Sequence, residues 1–215
     1  MKIFDFHTHT FLSDGAYGPM EMAQRAKAKG YELIGLSDHV DFGTCDVILP
    51  QLIKAVEKIN SSEMRIKAIA AVEITHVPPS QIEELVNHCR QKGARYIIVH
   101  GETPSEPVMQ GTNLAAIMAF ADILAHPGYI SEEEVKMAAE RGVFLEISGK
   151  PQHKQTNFHV LKLARKYRAP FLINSDAHND EQLFTEESYK QLMSELGISE
   201  EELKENIEKF LRRIF

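Results

Sequence analysis

Cysteine is scarce in this sequence: Cys45 and Cys89 are the only two, and they form no CxxC or other paired spacing. That scarcity excludes a disulfide-stapled scaffold and a thiolate zinc site, leaving the expectation of two inert thiols in a reducing, cytoplasmic setting. Positive charge is also short. Lys plus Arg number 24 against 31 Asp plus Glu, for a formal net charge of -7. This balance argues against a binder of long nucleic acid, which needs Lys and Arg to replace counterions on phosphates. It argues equally against docking on an anionic membrane. No stretch approaches the roughly 18 consecutive apolar residues of a membrane span. The opening Ile3-Phe4-Asp5-Phe6 is too short and too acidic for a signal peptide. Linkers, low-complexity tracts and short repeats are missing as well, so residues 1–215 read as one domain. What is there is an ordinary globular mix, 43% hydrophobic and 26% charged, with an unusual ten histidines.

Short β-like runs alternate with helical patterns along the whole chain. The expected strands are Ile3–Phe6, Leu33–Leu36, Ile66–Val72, Tyr96–Val99, Asp122–Ala125, Val143–Ile147 and Phe171–Asn174. Ser80 to Glu83 and Ser131 to Glu134 have the form of capping boxes at helix starts. Strand–helix units of about 30 residues suit parallel strands with crossover helices. An open doubly wound sheet usually carries a Gly-rich turn after its first strand. Here that position reads Phe6-His7-Thr8-His9-Thr10. A closed α/β barrel of seven units, one short of the common eight, fits better.

Most of the histidines follow strands. His7 and His9 end the first, Ser37-Asp38-His39 follows the second, and Glu73 ends the third. His100 ends the fourth, His126 the fifth, and Asn174-Ser175-Asp176-Ala177-His178 follows the seventh. In a parallel barrel these ends converge on one rim, where such folds place their chemistry. Residues two apart on extended chain share a face, which pairs His7 with His9 and Asp176 with His178. Any one histidine is most simply a hydrogen-bonded structural residue, but so many converging imidazoles and carboxylates call for bound cations to relieve desolvation and repulsion. Only N and O ligands are offered, which suits Zn, Mn or Fe. A carboxylate such as Glu73 can bridge two ions, and a hydroxide shared between them is a nucleophile at neutral pH. His88 and His159 read as helical and solvated or packed, whereas His76 and His153 fall in loops near the mouth, within reach of a substrate.

His7-Thr8-His9-Thr10, Ser37-Asp38-His39, a Glu ending strand three, single His residues after strands four and five, and Ser175-Asp176-Ala177-His178 together resemble the PHP (polymerase and histidinol phosphatase) family. The resemblance runs through the whole chain in order. It implies a distorted seven-unit (β/α)7 TIM-like barrel carrying three divalent ions. His7, His9, Glu73 and Asp176 would hold the first ion. Glu73 would bridge to a second on His100 and His126, and a third would sit on Asp14, His39 and His178. For Asp14, beside Gly15, a plain turn is the alternative. Glu73, Asp176 and His178 would be the catalytic members, with His178 more a ligand than a proton donor.

Three such ions would leave the mouth locally positive despite the acidic chain, favouring a small phosphorylated substrate held by the ions. Ser148, Lys150, His153 and His76 are candidate substrate contacts. A solvated loop residue is the equal alternative for Lys150. Asp5 and Asp38 flank ligands and are expected either to orient imidazoles or to serve as buried structural carboxylates. The leading expectation is a phosphomonoesterase like histidinol-phosphate phosphatase. A phosphodiesterase, exonuclease or 3′-phosphatase on short nucleotides, and a non-catalytic metal-bound regulatory module, are the alternatives.

Overall fold

The computed structural model describes residues 2–215. Its elements run β1 (Ile3–Thr8), α1 (Pro19–Ala28), β2 (Tyr31–Leu36), β3 (His39–Val40), α2 (Cys45–Asn60), β4 (Lys67–Ala70), β5 (Val72–Ile74) and α3 (Ile82–Gln91). There follow β6 (Ile97–His100), α4 (Thr112–Met118), β7 (Ile123–Ala125), α5 (Glu132–Arg141), β8 (Phe144–Ser148), α6 (Asn157–Tyr167), β9 (Phe171–Asn174), α7 (Glu186–Leu196) and α8 (Glu200–Ile214). The strands form two sheets, ordered β1-β2-β4 and β3-β5-β6-β7-β8-β9. Every pairing is parallel. Each strand is thus buried on both faces, as its near-continuous apolar sequence requires.

All seven expected strands are present, but the third is split. Ala71 separates β4 from β5, and a matching break at Ser37-Asp38 separates β2 from β3. Main-chain bonds from Ala71 N to Leu36 O (2.9 Å) and Glu73 N to Asp38 O (3.0 Å) carry the chain pair through the bend from one sheet into the other. At the opposite edge the link between β9 and β1 is looser. The Phe6 N–H donates to the Asn174 side chain, and only beyond it do Asp176 N to His7 O (3.0 Å) and His9 N to Ala177 O (2.9 Å) form. A ring closed by one continuous ladder is therefore not found among the described residues. An α/β fold of two parallel sheets is.

Capping follows the sequence in one case and departs from it in another. Ser131 Oγ accepts from Glu134 N while the Glu134 carboxylate accepts from Ser131 N, completing the box that starts α5. Ser80 does not cap α3, because Pro79–Gln81 forms a 3-10 turn and the helix begins after it. Phe210 of α8 packs edge-on against Phe6 of β1, Phe144 of β8 and Tyr96 just before β6, with centroids 4.7–5.3 Å apart. One apolar core thus joins both sheets and anchors the last helix. Among the described residues no helix is long and apolar enough to cross a membrane.

Candidate metal centre

The C-terminal strand ends bring the predicted residues together. His7 and His9 lie at the end of β1 and just beyond it, His39 opens β3, and Glu73 sits in β5. His100 ends β6, while His126, Asp176 and His178 follow β7 and β9. Four groups form in which the ligand atoms lie within 4.8 Å of one another. These are His7, His9 and Glu73; Glu73, His100 and His126; His9, Asp14, His39 and His178; and His126, His153 and Asp176. Glu73 is central and fully buried. Its Oε2 lies 2.8 Å from His39 Nδ1, 3.3 Å from His7 Nε2 and 3.5 Å from His9 Nε2, and its Oε1 is 3.5 Å from His126 Nε2. Asp176 Oδ1 lies 3.1 Å from His9 Nε2.

Several imidazoles are fixed in the posture of a ligand. His7 Nδ1 donates to Glu146 Oε2 (2.7 Å), His178 Nδ1 to Asp176 O (2.9 Å) and His100 Nδ1 to Gly101 O (3.1 Å). His7 and His178 then present Nε2 to Glu73 and Asp14, the arrangement typical of metal-bound histidine, while His100 Nε2 meets Glu106. His126 and Asp176 themselves have positive φ, 25° and 53°. Such backbone costs about 1–3 kcal/mol in a non-glycine residue and tends to concentrate at working sites.

The donor set suits cations. Both Glu73 oxygens and Asp176 Oδ1 are buried among imidazole nitrogens, and His9 Nδ1 and His153 Nε2 are buried without a hydrogen-bond partner. Each such orphan costs roughly 1–3 kcal/mol, which a bound divalent ion would offset. The charge states agree. Burial alone would push the Glu73 carboxyl up, but the His7 and His39 charges outweigh it and hold it well below its ordinary value. Burial opposes charge on His7 too, yet Glu146, Glu73 and Asp176 raise its pKa well above the usual one.

The PHP domain family model matches residues 5–212. This chain belongs to the PHP domain family. An uncharacterized protein of Methanocaldococcus jannaschii is 37% identical over 205 residues, covering 95% of this chain and 94% of that protein. The DNA polymerase/3′-5′ exonuclease PolX of Bacillus subtilis is 24% identical, and the match covers 83% of this chain but 35% of PolX. Histidinol phosphate phosphatase of Lactococcus lactis, solved with zinc, L-histidinol and phosphate, shares the fold. Its TM-score is 0.64 at 16% identity, with 92% of this chain and 95% of that one covered.

Beside the centre this PHP domain has a cavity of about 580 Å³, lined by Asp14, His39, Asp41, Thr44, His76 and Glu106 among others. Asp14 lies 3.1 Å from His178 Nε2 and 3.6 Å from His39 Nε2, in contact with the cluster despite being half exposed. Lys150 Nζ contacts Asp176 Oδ2 at 3.0 Å, so the lysine is no solvated loop residue. His76 is at the cavity wall. His153 is buried, stacked on His126 with centroids 4.1 Å apart and held by Thr103.

Ser148 departs from the substrate-contact expectation, and Asp5 and Asp38 take the structural alternative given for them. Ser148 is fully buried and its hydroxyl accepts from Lys150 N (3.2 Å), so it shapes the turn and does not face a substrate. Asp5 touches no imidazole, accepting instead from His7 N, Ser175 N and Tyr31 Oη. Asp38 likewise accepts from the N–H and hydroxyl groups of Thr10 and Ser13, organising the loop that carries Asp14. Two carboxylates escaped the sequence reading. Glu146 supports His7 and also accepts from Asn174 Nδ2 (3.0 Å). Glu106 Oε2 meets His100 Nε2 at 3.0 Å, from six residues along a loop with no regular spacing to reveal it.

Proposed function

We propose that this chain is a metal-dependent phosphoesterase that hydrolyses a small phosphomonoester at a three-ion centre. The single observation that carries the reading is Glu73, a fully buried carboxylate with four imidazole nitrogens within 3.5 Å of its oxygens. Bound divalent ions would supply Lewis acidity and a water acidified toward neutral pH. His7, His9, Glu73 and Asp176 would hold one ion, Glu73, His100 and His126 a second, and Asp14, His39 and His178 a third. Zn, Mn and Fe all match the N and O donors. The whole chain acts as one catalytic domain, and the distorted seven-unit barrel is the frame on which these residues converge.

The chain's own residues then divide the work. Lys150, already beside Asp176, meets phosphate oxygens as a point charge. His178, anchored through Nδ1, would hold an ion through Nε2, with an acidified water on that ion as the proton source for the leaving alkoxide. The cavity next to Asp14 and His39 has room for a small leaving group.

A zinc-bound histidinol phosphatase of similar fold supports the monoester reading. The PolX relative makes a diester the rival. A non-catalytic module is disfavoured by open-faced, unsatisfied donors beside a cavity, which a structural metal site would close. A screen of phosphorylated metabolites and matched diesters with added Mn or Zn tests the proposal. Phosphate release from monoesters is expected, and preferential cleavage of diesters would replace the reading.

A further inference from the structure

Cys45 and Cys89, which their sequence positions mark as unrelated thiols, meet in the folded protein. Their Sγ atoms are 2.9 Å apart, and both residues are buried. Cys45 is the first residue of α2 and Cys89 lies in the last turn of α3. The same two helix ends are tied a second time just outside the thiols. Asp46 takes His88 Nε2 at 2.9 Å and Lys92 Nζ at 3.2 Å. These exposed contacts join the same two helix ends that bring the thiols together. A disulfide needs its sulfurs at about 2.05 Å, so closure asks for roughly 0.9 Å of movement, within reach of side-chain torsions.

We propose that Cys45 and Cys89 are a modification site: a dithiol that small-molecule disulfides convert to an intramolecular disulfide stapling α2 to α3. Cys45 is the attacking group. It opens its helix, where fraying of the first turn gives access, and the hydrogen bond from Cys89 lowers its pKa. Its thiolate attacks one sulfur of the incoming disulfide, forming a mixed disulfide and releasing one thiolate. Cys89 gives its proton to solvent and attacks Cys45 Sγ, which expels the second thiolate. Two protein thiols are oxidised and one small disulfide is reduced to two thiols.

The staple would close a loop spanning 44 positions, long enough for a large loss of unfolded-state freedom. It would also pin the start of α2, directly after Asp41 and Thr44 on the cavity wall. This inference is independent of the phosphoesterase reading, because neither thiol belongs to the metal centre.

The test is incubation of the intact protein with oxidised glutathione, followed by non-reducing peptide mapping, intact mass and thermal unfolding. Expected are a Cys45–Cys89 linked peptide, loss of two hydrogens from the intact mass, and a Tm rise on the order of 10 °C that dithiothreitol reverses. Cys89→Ala is expected to hold a single glutathione on Cys45, since the resolving thiol is gone. Refolding from denaturant in a mixture of reduced and oxidised glutathione should give the same linked product, with burial no longer a barrier. Two free thiols after both treatments, or stable glutathione adducts on both cysteines of the wild type, would overturn the proposal.

Discussion

His7 Nδ1 lies 2.7 Å from Glu146 Oε2, a contact between β1 and β8 across 139 residues of sequence. The carboxylate can only accept when ionised, so it fixes the proton on Nδ1 and leaves Nε2 to face Glu73 and Asp176. Supports of this kind usually contribute 10–100-fold to metal affinity. Glu146→Ala should therefore weaken binding of the first ion by roughly that factor, and Glu146→Gln by less, because its amide oxygen still accepts. Competition against a chromophoric chelator measures both, with circular dichroism confirming the fold.

Asn113 ties together the two loops that carry His100 and His126. It accepts from Glu102 N (3.0 Å) and donates to Pro127 O (2.9 Å), and it is buried. Asn113→Ala strands both partners, at a cost of about 2–4 kcal/mol. A Tm lower by roughly 5–15 °C and a selective loss of the ion shared by Glu73, His100 and His126 are expected.

Metal binding should release protons. Burial disfavours charge on His39, but Glu73 and Asp14 outweigh it and raise its pKa to about 10. His9 is the opposite case, lowered to about 3 by burial and by the His39 charge, and is already neutral. An ion must displace the His39 proton at any pH below about 10, so affinity climbs as pH rises toward that value. The slope is up to about tenfold per pH unit for each proton lost. Calorimetric titrations in buffers of different ionisation enthalpy count those protons.

Lys150 sits 3.0 Å from Asp176 Oδ2 with little exposure. Lys150→Met should raise KM for a phosphomonoester on the order of tenfold, through the lost contact to phosphate. Metal content should not fall, because a cation competing for Asp176 has been removed.

The strands and the residues that cluster at their ends were legible because their signals are local. Apolar runs ending in His7, Glu73, His100 and His126 state both the element and which end it presents. The split between β4 and β5 was not legible, since Ala71 is as apolar as its neighbours and the bend arises from pairing with Ser37-Asp38. Cys45 and Cys89 looked unrelated for a similar reason: their meeting depends on how α2 and α3 pack. Glu146 was visible in the sequence as the residue two before Ser148. Its role depended on which face of β8 turned toward His7.

The most direct test is hydrolysis of p-nitrophenyl phosphate and its bis-ester by the Mn- or Zn-loaded protein, beside His9→Ala and Asp176→Asn. Metal-dependent turnover of the monoester is predicted, with slower turnover of the diester and a loss of about a hundredfold or more in each variant. Full turnover in either variant, or hydrolysis indifferent to added metal and chelator, would contradict the account.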